Sequence, residues 1–359
     1  MAPRGEQCST RLPKSDATSS ALSDTGNVTL RTTVVGSWPP VERYRSLLAR
    51  YFSAQADELG AEPLLTEVAA VAIAQQQAMR PGRVHRRRDV GRQLILHFPR
   101  FLTGIELTDQ RDAWGGRGSY ALIGSVGAPG GLGIAAAFRR ERAIEPRLAK
   151  VTIPGPSEIT TKLEPREAAR RAWPVVVDLI RTEIRQLILA GATDVQLDVP
   201  QIAMGLADGG WETAAAVDII AAIFAGFTTI RRSVHLCYGD FGARSWVTNR
   251  ALSPLIPTIQ ALGGGIVDRV VLELSLPEQW AERHLLSETP PELEIAAGIV
   301  DVKDPRVQTA AELRHLAEQM LAVVPAARLL LCPSCGLGRR TVGLATAKVT
   351  AMVAGARSL

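Results

Sequence analysis

From Lys150 onward, short apolar runs of strand type alternate with helical stretches long enough to cross back over a sheet, and this alternation limits the fold more than any other feature. The strand-type runs are 151–154, 194–199, 233–238, 269–274, 293–300 and 328–333. Between them, 165–190, 212–230, 250–263 and 306–324 have helical periodicity, and 341–356 closes the chain. Upstream, RTTVVG at 31–36 reads as a first strand, followed by helical patterns at 41–60 and 63–79. Strand–helix–strand units of this kind give a parallel sheet. About eight strands in 359 residues suit one closed (β/α)8 barrel of the TIM type better than an open sheet. No G-x-G-x-x-G turn opens a helix after an early strand, so a dinucleotide fold lacks its fingerprint. The stretch 80–130 is the least regular, and its Gly-rich pieces at 115–118 and 127–133 read as loops.

With 46% hydrophobic residues the chain can fill a large core, yet no apolar run is long enough to span a bilayer. Residues 1–28 are rich in Ser, Thr, Asp and Gly, carry no apolar stretch of signal-peptide type, and read as a disordered tail before one domain at 29–359. The net charge of +5 is concentrated in Arg80, Arg83, Arg86, Arg87, Arg88 and Arg92. No aromatic residues interleave this cluster and no nucleic-acid motif accompanies it, so it reads as a solvated face or a site for a small anion. Four cysteines are too few to staple a chain of this length, and a reducing cytoplasm fits them.

The residues suited to chemistry gather at the ends of strands. His235 and Cys237 close the run SVHLCY, and their i, i+2 spacing puts both on one face. Glu273 ends VVLE, Cys335 follows LLLCPS, and Asp198 ends DVQLD. Barrel enzymes place their active sites at these carboxyl ends. Imidazole, thiolates and a carboxylate are zinc ligands, and drawing them from separate strands is how an active site is assembled rather than a structural zinc module. Each has a plainer alternative: a core histidine, a small buried thiol, or a Cys332–Cys335 redox pair. Glu273 resists such a reading, because an ionised carboxylate amid Val and Leu needs a partner or a metal.

The segments TTVVGSWPP, DVQLDVPQIAMG, VHLCYGDF, VVLELS, GIVDVKDPR and LCPSCGLGRRT resemble, in this order, the C-terminal catalytic barrel of the cobalamin-independent methionine synthases, over roughly residues 31–357. The resemblance implies a single Zn2+ held by His235, Cys237, Glu273 and Cys335. It implies that zinc activates the thiol of homocysteine or an analogue, which attacks a methyl group from methyltetrahydrofolate or from methylcobalamin on a corrinoid protein. Gly36 and Ser37 resemble the backbone that holds the amino-acid carboxylate, and Asp198 the partner of its ammonium group. Asp301 and Lys303 occupy the stretch that manages the proton at the leaving nitrogen, with Lys303 where long members have His. An Asp-Gly-Glu segment of the family is replaced here by PGRVHRRRDVGR, which puts His85 and Arg86 beside the substrate. That change favours an anionic thiol, as in the epoxyalkane–coenzyme M transferases, or another biosynthetic methyl acceptor. Neither a nucleic-acid nor a membrane partner is implied. Trp38, Trp211 and Trp246 fall near strand or loop ends, where packing is the default and stacking on a pterin the alternative.

Overall fold

The computed structural model describes residues 30–52, 58–79, 98–111, 117–240 and 245–359. Ten strands run in chain order as β1 (Arg31–Thr32), β2 (Thr103–Arg111), β3 (Arg117–Gly127), β4 (Lys150–Pro154), β5 (Leu163–Glu164), β6 (Asp194–Asp198), β7 (Arg231–Leu236), β8 (Arg269–Glu273), β9 (Glu294–Val300) and β10 (Leu329–Pro333). Seven of them form one sheet in the order β1-β10-β9-β8-β7-β6-β4, every pair parallel. These are the seven apolar runs identified from sequence. The sheet curls until side chains bridge towards its far edge: Lys150 Nζ of β4 donates to the Val34 carbonyl at 3.1 Å, and Gln196 Nε2 of β6 to the Val35 carbonyl at 2.8 Å. The fold is thus of the TIM-barrel type, with one strand position between β1 and β4 unfilled among the described residues. The tail at 1–28 and the basic segment 80–92 lie outside those residues.

The strands are buried on both faces, which is why they read as continuous apolar runs rather than alternating ones. A large cluster packs the outer face against the helices, and a small one (Val35, Val271, Ala296, Leu330 and Cys332) fills the interior. The helices start where the chain sets up their termini. Thr309 and Glu312 form a reciprocal capping box ahead of Ala310–Leu321, and the Thr341 side chain accepts from Leu344 N–H at the start of Val342–Arg357.

Two expectations need correction. The helix expected over 165–190 is two helices, Arg166–Arg171 and Trp173–Leu189, with Pro174 in the first turn of the second, where its missing N–H costs nothing. The irregular stretch 80–130 is not all loop. β2 and β3 pair antiparallel, and β5 joins them in a second, three-stranded sheet. Its alternation is real but faces water on one side, leaving Leu107 and Ile123 exposed, so the Gly-rich ends dominate the sequence signal.

Buried charge fills the amino-terminal end of the barrel. The Arg269 guanidinium, 1% exposed, donates to Asp194 at 2.9 Å and to Glu294 at 2.9 and 2.7 Å. Burial alone would raise the Asp194 carboxyl, but Arg269, with Lys150 and Arg231, holds it below the usual carboxylate range. Burial pulls Lys150 down to about 8 against the attraction of Asp194. Removing one partner would leave an uncompensated buried charge, so Arg269→Ala should lower the unfolding free energy by about 3–5 kcal/mol in a urea titration. A loss under about 1 kcal/mol would mean that the network contributes little.

Candidate metal and thiol site

The register of the parallel strands decides which side chains meet. Asp198 of β6 pairs with His235 of β7, His235 with Val271 of β8, and Val271 with Ala296 of β9. Paired residues project to the same side, so Asp198 and His235 stand in one inward row with Val271 and Ala296. Two residues further along their strands, Cys237 and Glu273 lie on that same face, nearer the rim.

Cys335 reaches the rim by a different device. The pairing of β10 with β9 slips between Cys332 and Pro333, and the chain then turns across Gly298. A side chain at Gly298 would lie 2.4 Å from the Leu272 carbonyl and 2.7 Å from Ser334 Cα, so only glycine admits this approach. Ser334 N–H donates to the Val300 carbonyl at 2.9 Å and Ser334 Oγ accepts from Val302 N–H at 3.2 Å, which fixes the turn. One residue on, Cys335 Sγ lies 3.8 Å from Cys237 Sγ.

His235, Cys237 and Cys335 present ligand atoms all within 4.8 Å of one another. The His235 ring is buried, with Nδ1 3.0 Å from the Val271 carbonyl. That contact makes Nδ1 the protonated nitrogen and leaves Nε2 as a lone pair. Nε2 is buried without a hydrogen-bond partner, a cost that a metal ion would remove. Contact with the Cys237 thiol and burial hold the Cys335 thiol well above its ordinary range. A buried thiol and a part-buried one side by side, with an imidazole lone pair, are a donor set that fits a thiophilic dication such as zinc. Cys332 is not part of it. It sits in the interior cluster, where burial pushes its thiol up to about 12.

Glu273 is at the rim but not among the three. Its Oε1 accepts from the Lys303 ammonium and its Oε2 from Tyr238 N–H at 3.0 Å. Lys303 sits on the loop after β9, where Asp301 Oδ1 accepts from Lys303 N–H at 2.7 Å and so shapes the turn that presents it. Asp301 and Lys303 also line a cavity of about 580 Å³, together with Thr248, Arg250 and Asp304.

The candidate substrate groups Gly36, Ser37 and Asp198 lie close together. A side chain at Gly36 would stand 3.7 Å from Asp198 Oδ2, and Asp198 Oδ1 accepts from Gln196 Nε2 at 2.7 Å. Leu337 N–H donates to the Ser37 carbonyl at 2.8 Å, which ties the Gly36–Ser37 segment to the loop carrying Cys335. His85 and Arg86 lie outside the described residues. Of the tryptophans, Trp38 is buried with Nε1 donating to Gln75 at 2.8 Å, Trp211 stacks on Trp173 at 5.4 Å, and Trp246 is exposed.

A buried carboxyl absent from the sequence reading is Glu158, after β4. Burial pushes it up to about 7, against hydrogen bonds from Ser157 Oγ and Gln201 N–H. The signal was present, since IPGPSEI sets one acidic residue among apolar and small ones just as VVLEL does.

Comparison with known proteins gives this arrangement its family. Residues 30–358 match the family model described as the cobalamin-independent synthase catalytic domain. The chain belongs to that family. It is 27% identical over 211 residues to the methionine synthase of Saccharolobus solfataricus, covering 58% of this chain and 57% of that protein. It is 25% identical over 342 residues to the 5-methyltetrahydropteroyltriglutamate–homocysteine methyltransferase of Burkholderia mallei, covering 91% of this chain and 42% of that one. The chain thus spans about half the length of these curated relatives. Among solved structures, a B12-independent methionine synthase from Shewanella sp. W3-18-1 in complex with selenomethionine superposes with a TM-score of 0.70 at 17% identity, over 92% of this chain and 97% of that one. This likeness supports the barrel fold.

The donor assignment for the family member in hand is testable without turnover. Cys335→Ala and His235→Ala should each weaken zinc binding at least tenfold in a chelator competition, since even outer partners of zinc ligands are worth 10–100-fold. The far-ultraviolet circular dichroism of both variants should stay that of the parent. Unchanged zinc affinity in both would refute the assignment.

Proposed function

We propose that this family member is a zinc-dependent thiol methyltransferase that methylates homocysteine from a methyltetrahydropteroylglutamate. The observation that carries the proposal is the meeting of His235 Nε2, Cys237 Sγ and Cys335 Sγ at the barrel rim, beside the Asp198 carboxylate. The names of the curated relatives support homocysteine and the folate donor. Nothing in those names favours methylcobalamin or a corrinoid protein partner. No described helix is long and apolar enough to cross a membrane, and a reducing cytoplasm would keep the three described thiols free.

Zinc bound by the three donors would lower the pKa of the substrate thiol, so that a thiolate nucleophile exists at neutral pH. The protein's own residues supply the rest. Asp198 receives the ammonium group of the amino acid, and the Gly36–Ser37 backbone its carboxylate, which points the sulfur at the metal donors. The thiolate then attacks the methyl carbon in line, and the tetrahydropteroyl nitrogen, protonated from solvent, leaves with the bonding pair as a neutral amine. Asp301 fixes the loop after β9 by accepting from Lys303 N–H. Lys303 is committed to Glu273, so we assign it to positioning rather than to carrying a proton to the leaving nitrogen. Glu273 completes the rim beside the donors.

The test is methionine formation by the zinc-loaded protein from homocysteine and methyltetrahydropteroyltriglutamate. Asp198→Asn should raise the KM for homocysteine roughly 10–100-fold, the weight of one hydrogen bond to a charged group, with zinc content unchanged. Turnover with a sulfonated thiol and none with homocysteine would contradict the choice of substrate.

A further inference from the structure

Cys237 and Cys335 follow strands that are not neighbours. β8 and β9 stand between β7 and β10, so three strand spacings of about 4.8 Å separate the two around the sheet. Both thiols lie just past their strands, yet their sulfur atoms are 3.8 Å apart. A second contact joins the same two loops. Asp240, on the loop that carries Cys237, accepts from the guanidinium of Arg340, on the loop that carries Cys335. The Asp240 side chain is 4% exposed and that of Arg340 13%, so water screens this pair far less than a surface one. Both ends are braced. Gly239 takes a left-handed φ of 75°, which turns the chain between Cys237 and Asp240. Arg340 N–H donates to the Leu337 carbonyl at 2.8 Å, and the Arg340 carbonyl accepts from the Arg45 guanidinium at 3.4 Å.

We propose that Asp240 and Arg340 are positioning residues, a clamp across the barrel mouth that holds the loops after β7 and β10 so that the Cys237 and Cys335 thiols reach one metal ion together. This rests on the zinc reading above and deepens it. Two Zn–S bonds of about 2.3 Å at a tetrahedral angle set their sulfur atoms about 3.8 Å apart. That is the separation found between Cys237 and Cys335. Loops ordered on folding need no further ordering when the ion binds, which keeps the chelate tight. Without the pair, each loop stays tied to the strand beside it: Tyr238 N–H donates to Glu273 of β8, and Ser334 N–H to the Val300 carbonyl of β9. Those bonds fix each thiol to its own neighbour and leave the distance across the mouth free to widen. The clamp also carries no net charge, so it holds the thiols without competing with them for the cation.

The experiment measures zinc affinity by chelator competition, and the absorption of the cobalt-substituted full chain, for the parent and for Asp240→Asn, Arg340→Met and Arg340→Lys. Far-ultraviolet circular dichroism checks that each variant is folded at the temperature of measurement. Asp240→Asn and Arg340→Met should bind zinc at least tenfold more weakly, the scale of a partner that orients a metal ligand. Their thiolate-to-cobalt absorption should fall from that of two thiolates towards that of one. Arg340→Lys keeps the charge but not the planar guanidinium, and should lie between them and the parent. A pair that only stabilises the fold would lower the melting temperature and leave zinc affinity and the cobalt band at parent values. That result in Asp240→Asn and Arg340→Met, or in Arg340→Lys if those two do not fold, overturns the proposal. A parent that binds no zinc, or whose cobalt form lacks a thiolate band, overturns the zinc reading itself.

Discussion

The registry between β6, β7 and β8 is the constraint on which the site depends. Because Asp198, His235 and Val271 are mutual partners in a parallel sheet, their side chains are forced into one inward row. The two-residue period then forces Cys237 and Glu273 into the next row, closer to the rim. No loop has to fold in order to place these groups; the sheet that carries the core also carries the donors. A slip of one residue in β7 would turn His235 and Cys237 outward into the helices and would abolish the site together with the packing. Cys335 obeys the same frame at one remove, since the bulge in β10 and the close approach at Gly298 lift it over the end of β9.

Buried charge at the two ends of the barrel follows one rule. At the amino-terminal end, Arg269 is closed off by Asp194 and Glu294, and the set is complete within the protein. At the carboxyl end, the Glu273–Lys303 pair is likewise complete, whereas the His235, Cys237 and Cys335 donors are not. The lone pair on Nε2 and the two thiols are the groups that call for a cation. An incomplete donor set thus sits beside an ion pair that is already matched.

The sequence revealed most of this framework wherever a local period carried the information. The seven apolar runs became the seven strands of the main sheet, and His235 and Cys237 could be paired because a strand has period two. Glu273 stood out because a carboxylate among Val and Leu needs a reason. Its partner was not legible as such, because Lys303 lies on the loop of the next strand and only the curl of the sheet brings the two together. Glu158 gave the same signal as Glu273 but had no neighbouring motif to draw attention to it. The β2–β3 hairpin was hidden because one of its faces is solvated, which leaves an alternation weaker than the glycines that bound it.

The central claim is that three donors leave room for a substrate thiol, and the absorption spectrum of the cobalt-substituted protein tests it most directly. Thiolate-to-cobalt charge-transfer absorption should correspond to two thiolates in the resting protein and should grow by about half when homocysteine supplies a third. Resting absorption of two thiolates that homocysteine leaves unchanged would contradict the account, because the substrate sulfur would then not bind at the metal.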